Sequence, residues 1–168
     1  MTLLVLSLGS NLQREKHIRF ALAALQALFA RIDVSPVYET RAVGFDGPDF
    51  YNLVVVAETA LELECLLVKL RQIEDDAGRI RNGKSFQSRN LDIDVLLFGE
   101  ANLRGQGRNI PRNEIEHAAY VLKPLAQVLP KMPHPVSGIC FEDLWGAYRS
   151  DEPAPKRVEF DLGDINAT

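Results

Sequence analysis

The chain has 168 residues, of which 46% are hydrophobic and 25% charged, an ordinary globular composition that suggests neither a disordered nor a membrane class and suits one domain, with a core over about 1–145 and a polar tail over about 146–168. Nineteen Lys plus Arg against twenty-three Asp plus Glu leave a net charge of −4, the wrong sign for general phosphate-backbone binding, so no nucleic acid is expected as partner. No basic leader precedes the first strand, no apolar run approaches the ~18 residues that span a membrane, and Cys65 and Cys140 lack CxxC spacing. The chain therefore reads as a soluble cytoplasmic protein with two reduced core thiols.

In chain order, Leu3 to Leu8 is an apolar strand ended by Gly9. Ser10 or Asn11 is then placed to cap a helix running to about Ala30 on the stripe Ile18, Leu22, Leu25 and Phe29. Ile32 to Tyr38 reads as a second strand and Tyr51 to Ala57 as a third, with the turn-rich loop Gly44 to Asp49 between them as a candidate lid. Thr59 and Glu62 predict a capping box before a helix with the stripe Leu63, Leu67, Leu70 and Ile73, ending at Gly78. A basic loop follows, and Leu91 to Phe98 alternates as a fourth strand, with Asp92 and Asp94 on one face and Leu91, Ile93, Val95 and Leu97 on the other.

The order β-α-β-β-α-β predicts an α+β, ferredoxin-like antiparallel sheet with helices on one face. About 70 further residues form a C-terminal extension. They include a helical stretch from about Ile115 to Val128, a segment rich in proline around His134, and a tail that is either disordered or adds an edge strand through Val158 to Leu162.

The chemistry concentrates in Asp92-Ile93-Asp94. Two carboxylates at i and i+2 on a strand project from the same face about 7 Å apart, and two like charges there call for a cation. Hard oxygen ligands suit magnesium, which binds through one or two carboxylates plus substrate phosphates. The bland alternative is a strand with one solvated face. What favours the metal is the loop just upstream, where Arg79, Arg81, Lys84 and Arg89 can fold over the same face and meet a polyphosphate. No Walker A, GxGxxG or kinase signature is present, so ATP would bind by another route.

These residues resemble the 6-hydroxymethyl-7,8-dihydropterin pyrophosphokinase family over Leu6 to about Leu144. The resemblance is carried by Ser7-Leu8-Gly9-Ser10-Asn11-Leu12, Ser35-Pro36-Val37-Tyr38-Glu39-Thr40, Pro48-Asp49-Phe50-Tyr51-Asn52 and Gly78-Arg79-Ile80-Arg81. It is densest at Arg89-Asn90-Leu91-Asp92-Ile93-Asp94-Val95-Leu96-Leu97-Phe98-Gly99. It implies transfer of diphosphate from ATP to 6-hydroxymethyl-7,8-dihydropterin, giving AMP and the pterin diphosphate, in folate biosynthesis. It further implies two magnesium ions on Asp92 and Asp94, with Arg89 catalytic and Arg79, Arg81, Lys84, Arg89 and Arg112 as ATP contacts. The pterin is expected at Asn52, with Thr40 and Val43 meeting the ring through the backbone and Phe50 and Tyr120 sandwiching it. The enzyme is expected to act as a monomer on small molecules, away from membranes.

Three departures qualify the resemblance. Phe86 and Gln87-Ser88 replace the family's Trp and Gly-Pro in the basic loop, Arg112 replaces a His that touches ATP, and Glu116-His117-Ala118-Ala119-Tyr120 lacks the family's catalytic Arg before the aromatic. Arg112 or His117 is the candidate replacement cation. The alternative reading is a divergent paralogue that binds pterin or nucleotide with weak or altered catalysis.

Overall fold

A computed structural model describes residues 1–42, 46–78, 90–163 and 165. The elements follow the order β1 (Thr2–Ser10), α1 (Arg14–Leu28), β2 (Ile32–Val34), β3 (Val37–Thr40), β4 (Phe50–Thr59), α2 (Leu63–Asp76), β5 (Asp92–Phe98), a 3-10 turn (Arg104–Gln106), α3 (Glu114–His117), α4 (Ala119–Val128), α5 (Phe141–Ala147) and β6 (Lys156–Val158). All pairings are antiparallel in a six-stranded sheet of order β5-β1-β4-β3-β6, with β2 also on β4. This is the expected ferredoxin-like α+β arrangement. Its second strand is broken in two at Ser35-Pro36, because proline removes a ladder donor. Ser35 repairs the break: its hydroxyl accepts from the Val54 N–H at 2.8 Å.

Strand alternation sorts the core into two layers. Leu4, Leu6, Leu8, Leu53, Val55, Ile93 and Val95 face α1 and α2, where they meet Ile18, Leu22, Leu25, Leu66 and Leu70. Val5, Val54, Val56, Leu96 and Leu97 face the opposite way, onto Ile115, Val121, Leu122, Leu125 and Phe141 of the extension. The βαββαβ unit thus keeps its two helices on one face, and the C-terminal extension roofs the other.

Several local expectations are corrected. The pairing of β1 with β5 shifts register between Val5 and Leu6. This bulge sends Leu97 to the same layer as Leu96, away from Ile93 and Val95. Neither Ser10 nor Asn11 caps α1, which begins after Gln13 in a left-handed conformation (φ 44°). The Thr59 and Glu62 capping box does not form, since the Thr59 hydroxyl accepts from Leu61 N–H and Glu62 is itself the residue before the helix. Of the expected α2 stripe, Leu70 and Ile73 are buried while Leu63 and Leu67 are only partly buried against the core, and Leu66 and Glu74 complete the buried face. Cys65 is exposed and Cys140 half-buried, so neither is a core thiol, and both are free.

The helix expected over Ile115 to Val128 is two helices joined at Ala118, which is extended (φ −131°, ψ 116°). The tail supplies its edge strand earlier than expected, at Lys156–Val158 against β3, while Phe160, Leu162 and Ile165 pack on the α1/α2 layer. Phe160 meets Tyr51 edge to face at 5.9 Å, and Arg19 lies 4.9 Å over its ring. Among the described residues no helix is long and apolar enough to cross a membrane.

Candidate active site

The predicted site residues that the structure describes converge on the face roofed by the extension. In register across three strands, Gly9 of β1 pairs with Asn52 of β4 on one side and with Asp92 of β5 on the other, and Ser7 pairs with Asp94. Tyr38 pairs with Asn52, and Thr40 with Phe50. Directly paired antiparallel residues share a face, so Thr40, Phe50, Asn52, Asp92 and Asp94 form one surface. Gly9 is its floor. A Cβ there would stand 3.1 Å from Asn52 Oδ1 and 3.8 Å from Phe50 Cδ1, so glycine is what lets the amide and the ring lie across β1.

Asn52 is 5% exposed, and its Nδ2 donates to Thr40 Oγ1 at 2.7 Å. Ser10 and Asn11 anchor the two ends of the surface. The Ser10 hydroxyl donates to the Asn90 carbonyl at the entry to β5, and Asn11 Nδ2 donates to the Pro48 carbonyl at 3.2 Å. Arg14 pins the approach to Phe50 through three contacts. Its guanidinium donates to the Asp49 carbonyl at 2.9 Å, pairs with Glu39 at 2.8 Å and lies 3.9 Å over the Tyr51 ring.

The aspartates sit in a markedly acidic environment. Asp94 has its carboxyl pushed up to about 7, first by burial and then by the charge of Asp92, with Glu74 and Glu114 adding to the rise and Arg112 opposing it. Glu74 is buried on α2, and its Oε2 accepts the Ile93 N–H at 2.9 Å, satisfying an edge-strand donor between the two aspartates. Asn90 ties the same helix to β5 by donating from Nδ2 to the carbonyls of Ala77, at 2.8 Å, and Gly78, at 3.2 Å. Asp92 and Asp94 could hold a divalent cation. Hard carboxylate oxygens on one face, with one proton affinity raised by the other's charge, are a donor set that a small dication would relieve.

The extension brings two more expected residues to this face. Arg112 follows a cis Ile110–Pro111 bond, donates its N–H to the Leu96 carbonyl at 3.0 Å, and sets its guanidinium 3.5 Å from Asp94 and 3.2 Å from Glu114. Tyr120 opens α4 beside the same charges, its phenol raised by burial and then by Glu114 and Asp94. At 37% exposure its ring is not a core aromatic, and Phe50 is half-buried. His117 is exposed at the end of α3, so of the two candidate cations it is Arg112 that reaches the aspartates. Val43, Arg79, Arg81, Lys84 and Arg89, with the loop substitutions Phe86 and Gln87-Ser88, lie outside the described residues.

The model of the family described as 7,8-dihydro-6-hydroxymethylpterin-pyrophosphokinase matches residues 5–130 of the chain. The chain belongs to the hydroxymethyldihydropterin pyrophosphokinase family. Among its relatives, the 2-amino-4-hydroxy-6-hydroxymethyldihydropteridine pyrophosphokinase of Aquifex aeolicus is 32% identical over 138 residues, covering 81% of this chain and 86% of the relative. The enzyme of the same name from Pseudomonas aeruginosa is 37% identical over 130 residues, covering 75% and 80%. The folic acid synthesis protein fol1 of Pneumocystis carinii is 32% identical over 80% of this chain, which spans only 18% of that longer protein. In structure, the chain superposes on Plasmodium falciparum HPPK-DHPS with a TM-score of 0.67 at 16% identity, over 86% of this chain and 42% of that one, a likeness of fold.

Several members of this pyrophosphokinase's site escaped sequence reading. Glu74 carried a signal, because it falls on the buried stripe four residues after Leu70, where an acid has no business without a partner. Glu114 and Asn90 carried none beyond their neighbourhood, since their roles depend on contacts with Arg112 and with the end of α2.

Proposed function

We propose that the chain transfers diphosphate from ATP to the hydroxymethyl group of 6-hydroxymethyl-7,8-dihydropterin, as a monomeric cytoplasmic enzyme of folate biosynthesis. The observation that carries this reading is the row Asn52, Gly9, Asp92. An amide suited to a heterocycle edge and a carboxylate pair suited to a metal–phosphate complex lie on one face of the two strands that flank β1, the Asn52 and Asp92 backbones each about 4.8 Å from the glycine between them. The pterin hydroxyl oxygen loses its proton to solvent and forms a bond to the β-phosphorus, the bond from that phosphorus to the α–β bridging oxygen breaks, and AMP leaves with the bridging oxygen.

Each residue has a part. Asn52, oriented by Thr40, reads the pterin edge, while Phe50 and Tyr120 bracket its plane, where offset stacking adds roughly 0.5–1.5 kcal/mol per ring pair. Arg112 reaches toward the phosphates from Asp94, in place of the family's His. Two magnesium ions held by Asp92 and Asp94 would supply neutralisation of the charge on the phosphate oxygens. Arg79, Arg81, Lys84 and Arg89 are the further cations this reading assigns to ATP.

The test is AMP release from ATP and magnesium with and without 6-hydroxymethyl-7,8-dihydropterin. AMP that depends on the pterin is expected, and pterin binding without AMP would instead establish the divergent paralogue. A second expectation concerns the floor of the site. Gly9→Ala should weaken pterin binding by roughly tenfold or more, the scale of a 1–3 kcal/mol overpacking penalty, because the new methyl displaces the Asn52 amide. Calorimetric titration with the pterin checks it, and unchanged affinity would mean that Asn52 does not contact the ligand.

A further inference from the structure

The 111–120 segment that delivers Arg112 and Tyr120 is fastened through one carboxylate. Glu116 Oε1 accepts from Arg104 Nη2 at 2.7 Å and lies 2.9 Å from His134 Nε2. Arg104 also donates from Nε to the Pro111 carbonyl at 2.7 Å, so it holds the residue just before Arg112 and the helix just after it. Three stretches of chain, from the 3-10 turn, α3 and the Pro133 to Cys140 loop, meet at this point.

The charge states follow from the contacts. His134 is 1% exposed, and its Nδ1 accepts the backbone N–H groups of Val136 at 3.1 Å and Ser137 at 3.4 Å. An accepting Nδ1 leaves the ring proton on Nε2, facing Glu116. Nε2 lies off the line of a well-aligned hydrogen bond, so the contact is a charge–dipole one. Burial holds the imidazole below its ordinary range against the opposing pull of Glu116, which keeps it neutral. Burial pushes the Glu116 carboxyl up, but the hydrogen bond and charge of Arg104 outweigh it and leave a carboxylate. The acid that stands where the family has a basic segment is therefore fully engaged by partners within this chain.

We propose that Glu116 is a positioning residue that, through Arg104 and His134, holds the 111–120 segment so that Arg112 stays beside Asp94 and Tyr120 beside the same acidic face. Glu116 itself touches neither substrate. The inference rests on the transferase reading above for its catalytic consequence, and on geometry alone for its structural one.

The experiment uses full-length Glu116→Ala and Glu116→Gln, each alone and combined with Arg112→Ala. Initial rates of pterin-dependent AMP release are read at subsaturating ATP, alongside amide hydrogen exchange of the 111–120 peptides. Glu116→Ala is expected to lower kcat/KM for ATP by about 10-fold, the scale on which outer supporting contacts act. In the Arg112→Ala background it should cost less than about twofold, since residues acting through one another are not additive. Glu116→Gln keeps an acceptor without the charge and should fall between, which covers the case in which the alanine variant does not fold. Exchange should quicken over 111–120 and stay unchanged in β1 and β4. The same loss in both backgrounds, or unaltered exchange in Glu116→Gln, overturns the proposal. Absence of AMP from the wild type would sink the transferase reading alone, and the exchange result would still decide whether Glu116 fastens the segment.

Discussion

Asp94→Ala is expected to lower pterin-dependent AMP release by roughly 10³-fold, the scale on which a positioned transition-state charge contact acts, without destabilising the fold. The first half follows from position. Asp94 shares the strand face with Asp92, two residues away, and lies across β1 from the strand of Asn52, so its loss leaves one carboxylate of the pair proposed to seat a metal–triphosphate complex. The second half follows from electrostatics. Asp94 is half-buried, crowded by Asp92, Glu74 and Glu114, and opposed among the described residues by Arg112, and its carboxyl rises to about 7. A carboxyl whose folded pKa lies above its unfolded value of 3.8 binds its proton more tightly in the folded state. Metal-free protein should therefore lose stability as pH rises from about 4 to 7. Asp94→Ala removes that loss, so its melting temperature at pH 8 should match or exceed the wild type's. A variant with both activity and stability intact would show that Asp94 is a solvated strand residue.

Phe141→Ala should produce the largest stability loss of the substitutions considered, about 3–5 kcal/mol, or roughly 10 °C in melting temperature for a chain of this size. Phe141 is fully buried at the start of α5 and packs with Val54, Leu96, Leu122 and Leu125 between the sheet and the extension. It also meets the His134 ring edge to face at 6.3 Å. The expectation includes one cooperative transition, because the roof and the sheet share this layer. Calorimetry decides it. An early separate transition, or a melting temperature within a degree of the wild type's, would mean that the extension is an appendage and that the chain is not one cooperative domain.

Gly9 shows how one position serves both layers of the argument. As the residue that closes the first apolar run it reads as a strand terminator, yet in the sheet it is paired on both sides within β1 and holds open the space between the Asn52 amide and the strand of Asp92. The tail has a comparable double character. Its polar composition leaves disorder or an edge strand open, while in the structure Phe160 and Leu162 pack against the core and β6 covers the exposed edge of β3, which removes an open strand edge.

The sequence by itself determined the strand and helix order, the ferredoxin-like class, the pairing of Asp92 with Asp94 on one face and, through its motifs, the family. Those properties are local or periodic: alternation of two, a stripe of three or four, and residues adjacent in sequence. The sequence did not determine that Leu97 changes layer at a bulge, because a register shift depends on the partner strand. It did not place Glu74 and Glu114 around the aspartates, nor Arg104 and His134 around Glu116. Such contacts join residues well separated in the numbering, 19 positions between Glu74 and Ile93 and 18 between Glu116 and His134, and form only after two helices and a sheet have packed. Long-range packing decides which polar groups share a cavity, and the charge each one carries follows from that company.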